Sequence, residues 1–172
     1  MKKIFVILIL FFIQFTCATA ETNIVFINMD KIINSTKPGI SMIKQLNDIR
    51  KKNTSKINDY AKKLKEQENK LISQKNILTQ SDFQSNADKL SLEVTKFNDN
   101  RRMINNDFNK LRIANTNELL KLINPILIKY SNDKSISFIL NKKDLIIGKT
   151  ELDITDEIII RINSEIKQFK IK

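Results

Sequence analysis

Along the middle of the chain, apolar side chains return at every third and fourth residue. Between Ile40 and Asn124 neither Gly nor Pro interrupts them; Pro38-Gly39 and Pro125 bracket the stretch. These two residues are the strongest helix breakers, so their absence predicts long continuous helix. Counting by sevens gives Ile43, Arg50, Ile57, Leu64, Leu71 and Leu78, with Leu46, Asn53, Tyr60, Gln67 and Gln74 as the companion row. After a polar patch the pattern restarts. Phe83, Leu90, Phe97, Ile104 and Leu111 form one row, and Ala87, Val94, Arg101, Phe108, Asn115 and Leu122 the other. Both halves carry the spacing of helices packed along one seam. The break at Thr79-Gln80-Ser81-Asp82 predicts a tip, with Ser81 or Asp82 capping the second helix. Two antiparallel helices of about 40 residues would each span roughly 60 Å at about 1.5 Å per residue. That length predicts an arm projecting from a body. The expected seam contacts are Ile57, Tyr60, Leu64, Leu71 and Leu78 against Phe83, Leu90, Val94, Phe97, Ile104, Phe108 and Leu111. Arg50, Asn53, Gln67, Gln74, Arg101 and Asn115 fall where apolar residues would pack best. They leave two readings open: a loose hairpin whose long side chains reach outward, or a flexible arm lining a wet surface.

The two ends of the chain read differently. Asn23 to Met29 is a β-branched and aromatic run, a predicted strand. Asp30 to Ile33 fits one helical turn, and residues 34–39 a loop into the first arm. Leu119 to Tyr130 is far more apolar than the rest of the second arm, which predicts entry into a buried body. Pro125 is expected to kink or interrupt the helix there. Ser137 to Leu140 predicts a second strand, residues 141–144 a turn, and Leu145 to Gly148 a third strand closing a hairpin. Asp153 is the candidate N-cap of a last helix striped by Ile158, Ile159, Ile162 and Ile166. The expected organisation is a mostly helical α+β chain. Residues 21–39 and 125–172 form a body, and 40–124 a helical-hairpin arm inserted in it. Three short strands and a helix bury little surface, so the body is expected to associate with copies of itself through its strands. That would also cover their edges. The association residues are Ile24, Val25, Phe26 and Ile27, then Phe138, Ile139 and Leu140, then Leu145, Ile146 and Ile147.

The first residues change the compartment. Met1-Lys2-Lys3 is a basic start, Ile4 to Phe15 an apolar core, and Ala18-Thr19-Ala20 a small-x-small site. This is the pattern of a signal peptide cut after Ala20, and the apolar run is short for a membrane span. Cys17, the one cysteine, lies upstream of the cut, so the mature chain has no disulfide or thiol chemistry. The expected location is the periplasm. With Lys2 and Lys3 set aside, the chain still has a large excess of Lys and Arg over Asp and Glu, most of it on the arms. A basic arm attracts anionic partners: acidic proteins, anionic lipid or nucleic acid. Export argues against nucleic acid. Arg101, Arg102, Lys110 and Arg112 form a basic group on the second arm, read either as solvated surface or as an anion or client contact.

Catalytic chemistry has few places to reside. The chain contains no His and no Trp, and its two glycines cannot build a phosphate loop. The carboxylates are scattered among lysines; Glu66 and Glu68, two apart, do not share a helix face. No enzyme, cofactor or metal site is expected.

The order of these elements resembles the Skp/OmpH family of periplasmic chaperones. The residues that carry the resemblance are the strand NIVFINM with Asp30-Lys31-Ile32-Ile33, the Pro-Ile-Leu segment at 125–127 and the DITDE start at 153–157. The resemblance implies a jellyfish-like homotrimer. In it the strands join as a β-barrel-like hub, and three helical arms surround a cavity that holds unfolded outer-membrane proteins without ATP. Some family members carry a basic lipopolysaccharide-binding cluster; the group at 101–112 does not match it residue by residue. The family pattern commonly has a Gly before the second strand, where this chain has Asn132-Asp133-Lys134-Ser135. Two alternatives stand beside this reading: a coiled-coil adaptor of the cell envelope, and a binder of anionic lipid.

Overall fold

A computed structural model describes residues 22–172. The expected signal peptide and its cleavage site lie outside the described residues. The element order is β1 (Ile24–Ile27), α1 (Met29–Ser35), α2 (Lys37–Ser73), α3 (Gln80–Asp133), β2 (Phe138–Asn141) and α4 (Thr155–Glu165), with 3-10 turns at Lys142–Asp144 and Thr150–Leu152. The α+β, mostly helical architecture with a long helical arm is as expected.

Each element ends for a local reason. β1 is shorter than the predicted run because Asn28 caps α1: its Oδ1 accepts the Lys31 N–H at 2.9 Å. The expected loop at 34–39 reduces to one residue. Thr36, fully buried, both closes α1 and caps α2. Pro38 and Gly39 therefore sit in the first turn of α2, where proline loses no helical hydrogen bond. Gly39 is required by packing, since a Cβ there would lie 1.8 Å from the Ile33 carbonyl oxygen.

At the tip, α2 stops at Ser73, so Leu78 lies in the turn and not in the first helix. Thr79, not Ser81 or Asp82, caps α3. Its Oγ1 accepts the Asp82 N–H at 3.1 Å and donates to the Asp82 carboxylate at 2.6 Å. Of the kink or interruption expected at Pro125, the interruption does not occur, since the helix continues through it. Pro125 is exposed, as is Lys121 one turn before it, so the lost helical hydrogen bond falls on the solvent side of α3.

α3 ends in a Schellman motif. Ile136 N–H donates to Ser131 O at 2.9 Å and Ser135 N–H to Asn132 O at 3.3 Å. Ser135 holds φ 52°. This is the left-handed position that favours glycine, in the segment where a glycine was expected and is absent.

β1 and β2 pair in parallel, with Ile24 opposite Phe138 and Phe26 opposite Leu140. Phe26 also bridges Asp153 on β1's other side. The third strand at 145–147 does not form, and neither does the hairpin. Asn141 opens a 3-10 turn, its Oδ1 accepting Lys143 N–H at 3.3 Å. Lys142 is drawn to the Asp153 carboxylate at 2.8 Å and over the Phe26 ring, turning the chain away from β2. Leu145 to Ile147 is left without a strand to pair with. Asp153 is not the boundary residue of α4, yet its Oδ1 accepts the Thr155 N–H at 3.1 Å and so performs a capping role one residue early.

The core draws on more of the chain than the expected body. Ile32, Leu119, Ile123, Ile158 and Ile162 are fully buried, joined by Val25, Ile27, Met42, Leu46, Ile126, Tyr130, Ile136, Ile154 and Phe169. Met42, Leu46, Leu119 and Ile123 belong to the roots of the arm helices. The arms are therefore continuous with the body, their roots buried in its core.

Candidate functional site

Two surfaces are left incompletely satisfied by the chain's own fold. The first is the outer face of the small sheet. Because side chains alternate along a strand, Val25, Ile27 and Ile139 face the core while Ile24, Phe138 and Leu140 face away, each at least two-fifths exposed. Phe26 shares the outward face but is buried, covered in part by Gly148, where a Cβ would lie 2.7 Å from its ring. Beyond it Ile146 and Ile147 stand almost wholly in solvent, at 100% and 91% exposure. Leu145 is half-buried. Among the described residues the outer edge of β2 pairs with no strand. Beside it lies an apolar groove of about 330 Å³ between the sheet and α3, lined by Ile27, Met29, Leu127, Ile128, Ile139 and Leu140. Of the expected association residues, then, Val25, Phe26 and Ile27 are used in the chain's own body. Ile139 packs against the same core and Leu145 is half-buried, which leaves Ile24, Phe138, Leu140, Ile146 and Ile147 exposed.

The second surface is the arm. Across the seam Tyr60 meets Phe97, Leu64 shares a cleft with Leu90, Val94 and Phe97, Leu71 one with Leu90, and Ile57 one with Phe108, but the burial is shallow. Leu64 alone of them is buried; Ile57, Leu71, Leu78, Phe83, Leu90, Phe97, Ile104, Phe108 and Leu111 are half-buried. Tyr60 and Val94 are more than a third exposed. Tyr60 stacks on Phe97 with ring centroids 5.4 Å apart, and the Arg101 guanidinium lies 5.9 Å from the same ring. Clefts open along the seam, one of about 250 Å³ beside Leu64 and Phe97 and one of about 450 Å³ between Arg50 and Arg112. On α3, Leu92, Met103 and Ile113 are more than half exposed. At roughly 100° per residue they lie on the side away from the seam, so they form a sparse apolar stripe, its members about 15 Å apart along the helix.

Charge surrounds that stripe. On the arms among the described residues, Lys65, Arg102 and Lys121 pair with carboxylates one turn away, and most other basic side chains make no ion pair. The basic group at 101–112 is not one cluster. Arg101 lies over Phe97, Arg102 pairs with Asp99, Arg112 lines the seam cleft, and Lys110 is exposed.

Sequence reasoning missed the strap at the arm roots. Residues 167–172 extend across both helices. Gln45 Nε2 donates to Phe169 O at 2.7 Å and its Oε1 accepts the Ile171 N–H at 3.2 Å, so the amide pairs with the segment as a strand would. Asn115, a misfit in the seam pattern, is buried here. It donates to Leu111 O and accepts the Lys172 N–H at 3.0 Å. Lys172 and Lys121 hold the Glu118 carboxyl below its usual range through hydrogen bonds and charge. A polar residue at an inward seam position was the one available signal.

Among the described residues no helix is long and apolar enough to cross a membrane, and no three His, Cys, Asp or Glu side chains gather as a metal site. Fold and surfaces together define a class: small α+β proteins with a buried root, an open sheet edge and a long, wet helical hairpin. The chain belongs to the family of OmpH-like outer membrane proteins, whose model matches residues 23–162. A crystal structure from Caulobacter crescentus, of a protein described as a candidate outer membrane chaperone (OmpH-like), shares this fold. Its TM-score is 0.77 at 14% identity, over 91% of this chain and 93% of that one. No curated protein matches the chain.

Proposed function

We propose that this chain is an ATP-independent periplasmic holdase. It is exported by the signal peptide at residues 1–20, assembles as a homotrimer through the open sheet edge, and holds unfolded outer-membrane β-barrel proteins between its arms. It performs no catalysis. The observation that carries the reading is the exposed apolar stripe of Leu92, Met103 and Ile113 on arms that are basic and mostly unpaired. A transiting β-barrel protein exposes apolar strands that aggregate edge to edge. Scattered apolar contacts on three arms bind it weakly and repeatedly, and joining the arms on one hub raises the effective concentration of each contact. The basic charge steers acidic clients and speeds capture at low salt. A lipid-binding arm would need bulky apolar residues opposite its cations; Phe83, Phe97 and Phe108 instead face the partner helix.

Native mass spectrometry of residues 21–172, alone and with an unfolded outer-membrane β-barrel protein, tests this. A trimer that takes up one client is expected. A monomer or dimer that takes up none would return the coiled-coil adaptor to first place. Capture rates that do not change with salt would remove the steering role.

A further inference from the structure

Residues 167–172 cross the roots of α2 and α3 as an extended segment whose side chains alternate. Phe169 is buried, Lys170 exposed, Ile171 half-buried and Lys172 exposed. Among the described residues no backbone–backbone hydrogen bond reaches this strap. Side chains of the arm hold its backbone instead. The Phe169 carbonyl accepts from Gln45 Nε2 at 2.7 Å and from Ser41 Oγ at 3.0 Å. The Ile171 N–H donates to Gln45 Oε1 at 3.2 Å, and the Lys172 N–H to Asn115 Oδ1 at 3.0 Å. We infer that the seat under the strap is a binding site for extended peptide with apolar side chains at alternate positions. The chain's own strap fills it at rest, and an incoming segment takes its place.

The contacts themselves set this specificity. They read backbone atoms, which every peptide presents, and two apolar side chains at strand spacing. Main-chain hydrogen bonds with pockets for alternate side chains are how surfaces take up a strand. The Lys172–Glu118 pair is particular to this segment, but it lies in solvent and adds little. The seat is also unfavourable when empty. Asn115 is 2% exposed at an inward seam position. With the strap lifted, its Oδ1 loses its donor and the apolar surface under Phe169 meets water. Any extended segment with the same alternation satisfies both needs.

The strap competes from within the molecule, at the high effective concentration that tethering gives. A free peptide therefore binds with an affinity reduced by the fraction of time the seat is open. A client held by the arms is tethered in the same way and competes on closer terms. Strands of an unfolded β-barrel protein carry the required alternation. That choice of partner rests on the holdase reading; the seat does not.

The probe is a capped peptide with the sequence of residues 166–172, and its control carries Phe169→Asn and Ile171→Asn. Amide exchange in the isotope-labelled, otherwise unchanged chain is followed by NMR. Exchange at residues 169–172 is expected to rise and saturate with the probe and to stay flat with the control. A fluorescent probe should bind Phe169→Ala/Ile171→Ala, whose strap is loosened, at least about tenfold more tightly than the unchanged chain. Adding Gln45→Leu, which removes the backbone contacts, should abolish that gain. Strap amides that stay protected while the probe binds would overturn the site, as would tightening that the control peptide shares. An unfolded β-barrel client is then added. Strap amides freed by a client that is taken up assign the seat to clients. A client taken up with the strap still protected overturns that assignment, and a client not taken up defeats the holdase reading alone.

Discussion

The body and the arm are built from the same residue types but spend them differently. In the body, five apolar side chains from three helices reach zero exposure in one core. In the arm, two helices of 37 and 54 residues meet along a seam in which Leu64 is the one buried side chain beyond the roots. Buried apolar area sets stabilisation. The body is therefore a cooperative unit, and the distal arm is a surface held in shape chiefly by its continuity with that unit. Low burial is also what leaves the arm's apolar and cationic side chains free for a partner.

The largest test of this contrast is truncation on each side. Ile158→Ala in the body should cost about 3 kcal/mol of unfolding free energy in urea, because it opens a cavity in packed surroundings. Leu90→Ala, half-buried in the seam, should cost less than about 1 kcal/mol, since neighbouring side chains and water fill the space. Equal costs would show the arm to be as tightly packed as the body.

Gly39→Ala probes the joint between them. Its new Cβ meets backbone, which cannot rotate away, so a loss of about 2 kcal/mol is expected in the same assay. Ser135→Gly acts in the opposite direction. It relieves the left-handed φ at the end of α3 and should stabilise by about 0.5–1 kcal/mol.

The smallest effects are those of pH, and both belong to the body. Burial raises the Asp153 carboxyl, but the Lys142 and Thr155 contacts outweigh it and hold it below its usual range. A depressed carboxyl stabilises above its unfolded pKa, so this contribution is lost as pH falls through the acid range. Asp153→Asn should flatten that part of the stability profile. Tyr130 is pushed up to about 12 by burial and by its hydrogen bond to Glu157. Its contribution is complete below the ordinary tyrosine range and is lost as pH rises toward about 12; Tyr130→Phe should abolish that loss.

The sequence by itself determined the two long helices and their pairing as an arm. Helix periodicity and the lack of Gly and Pro are local properties, and local properties survive in any tertiary setting. The glycine expected before β2 came from the family pattern the chain resembles, and Ser135 holds the left-handed φ there. What the sequence misplaced depended on partners far along the chain. Leu145 to Ile147 has the composition of a strand, but a strand exists only where another backbone pairs with it, and Lys142 is drawn to Asp153 and Phe26 instead. Val25 and Ile27 were expected to serve association, and the fold also gives them a place in the chain's own core beside the arm roots and α4. Asn115 read as a flaw in the seam, yet it anchors a backbone N–H that lies 57 residues away in sequence. The seam cleft arises in the same way, since Arg50 and Arg112 are brought together only when the hairpin closes. Periodicity is written in neighbouring residues; which surfaces are covered, and which are left open to a partner, is decided only when distant segments meet.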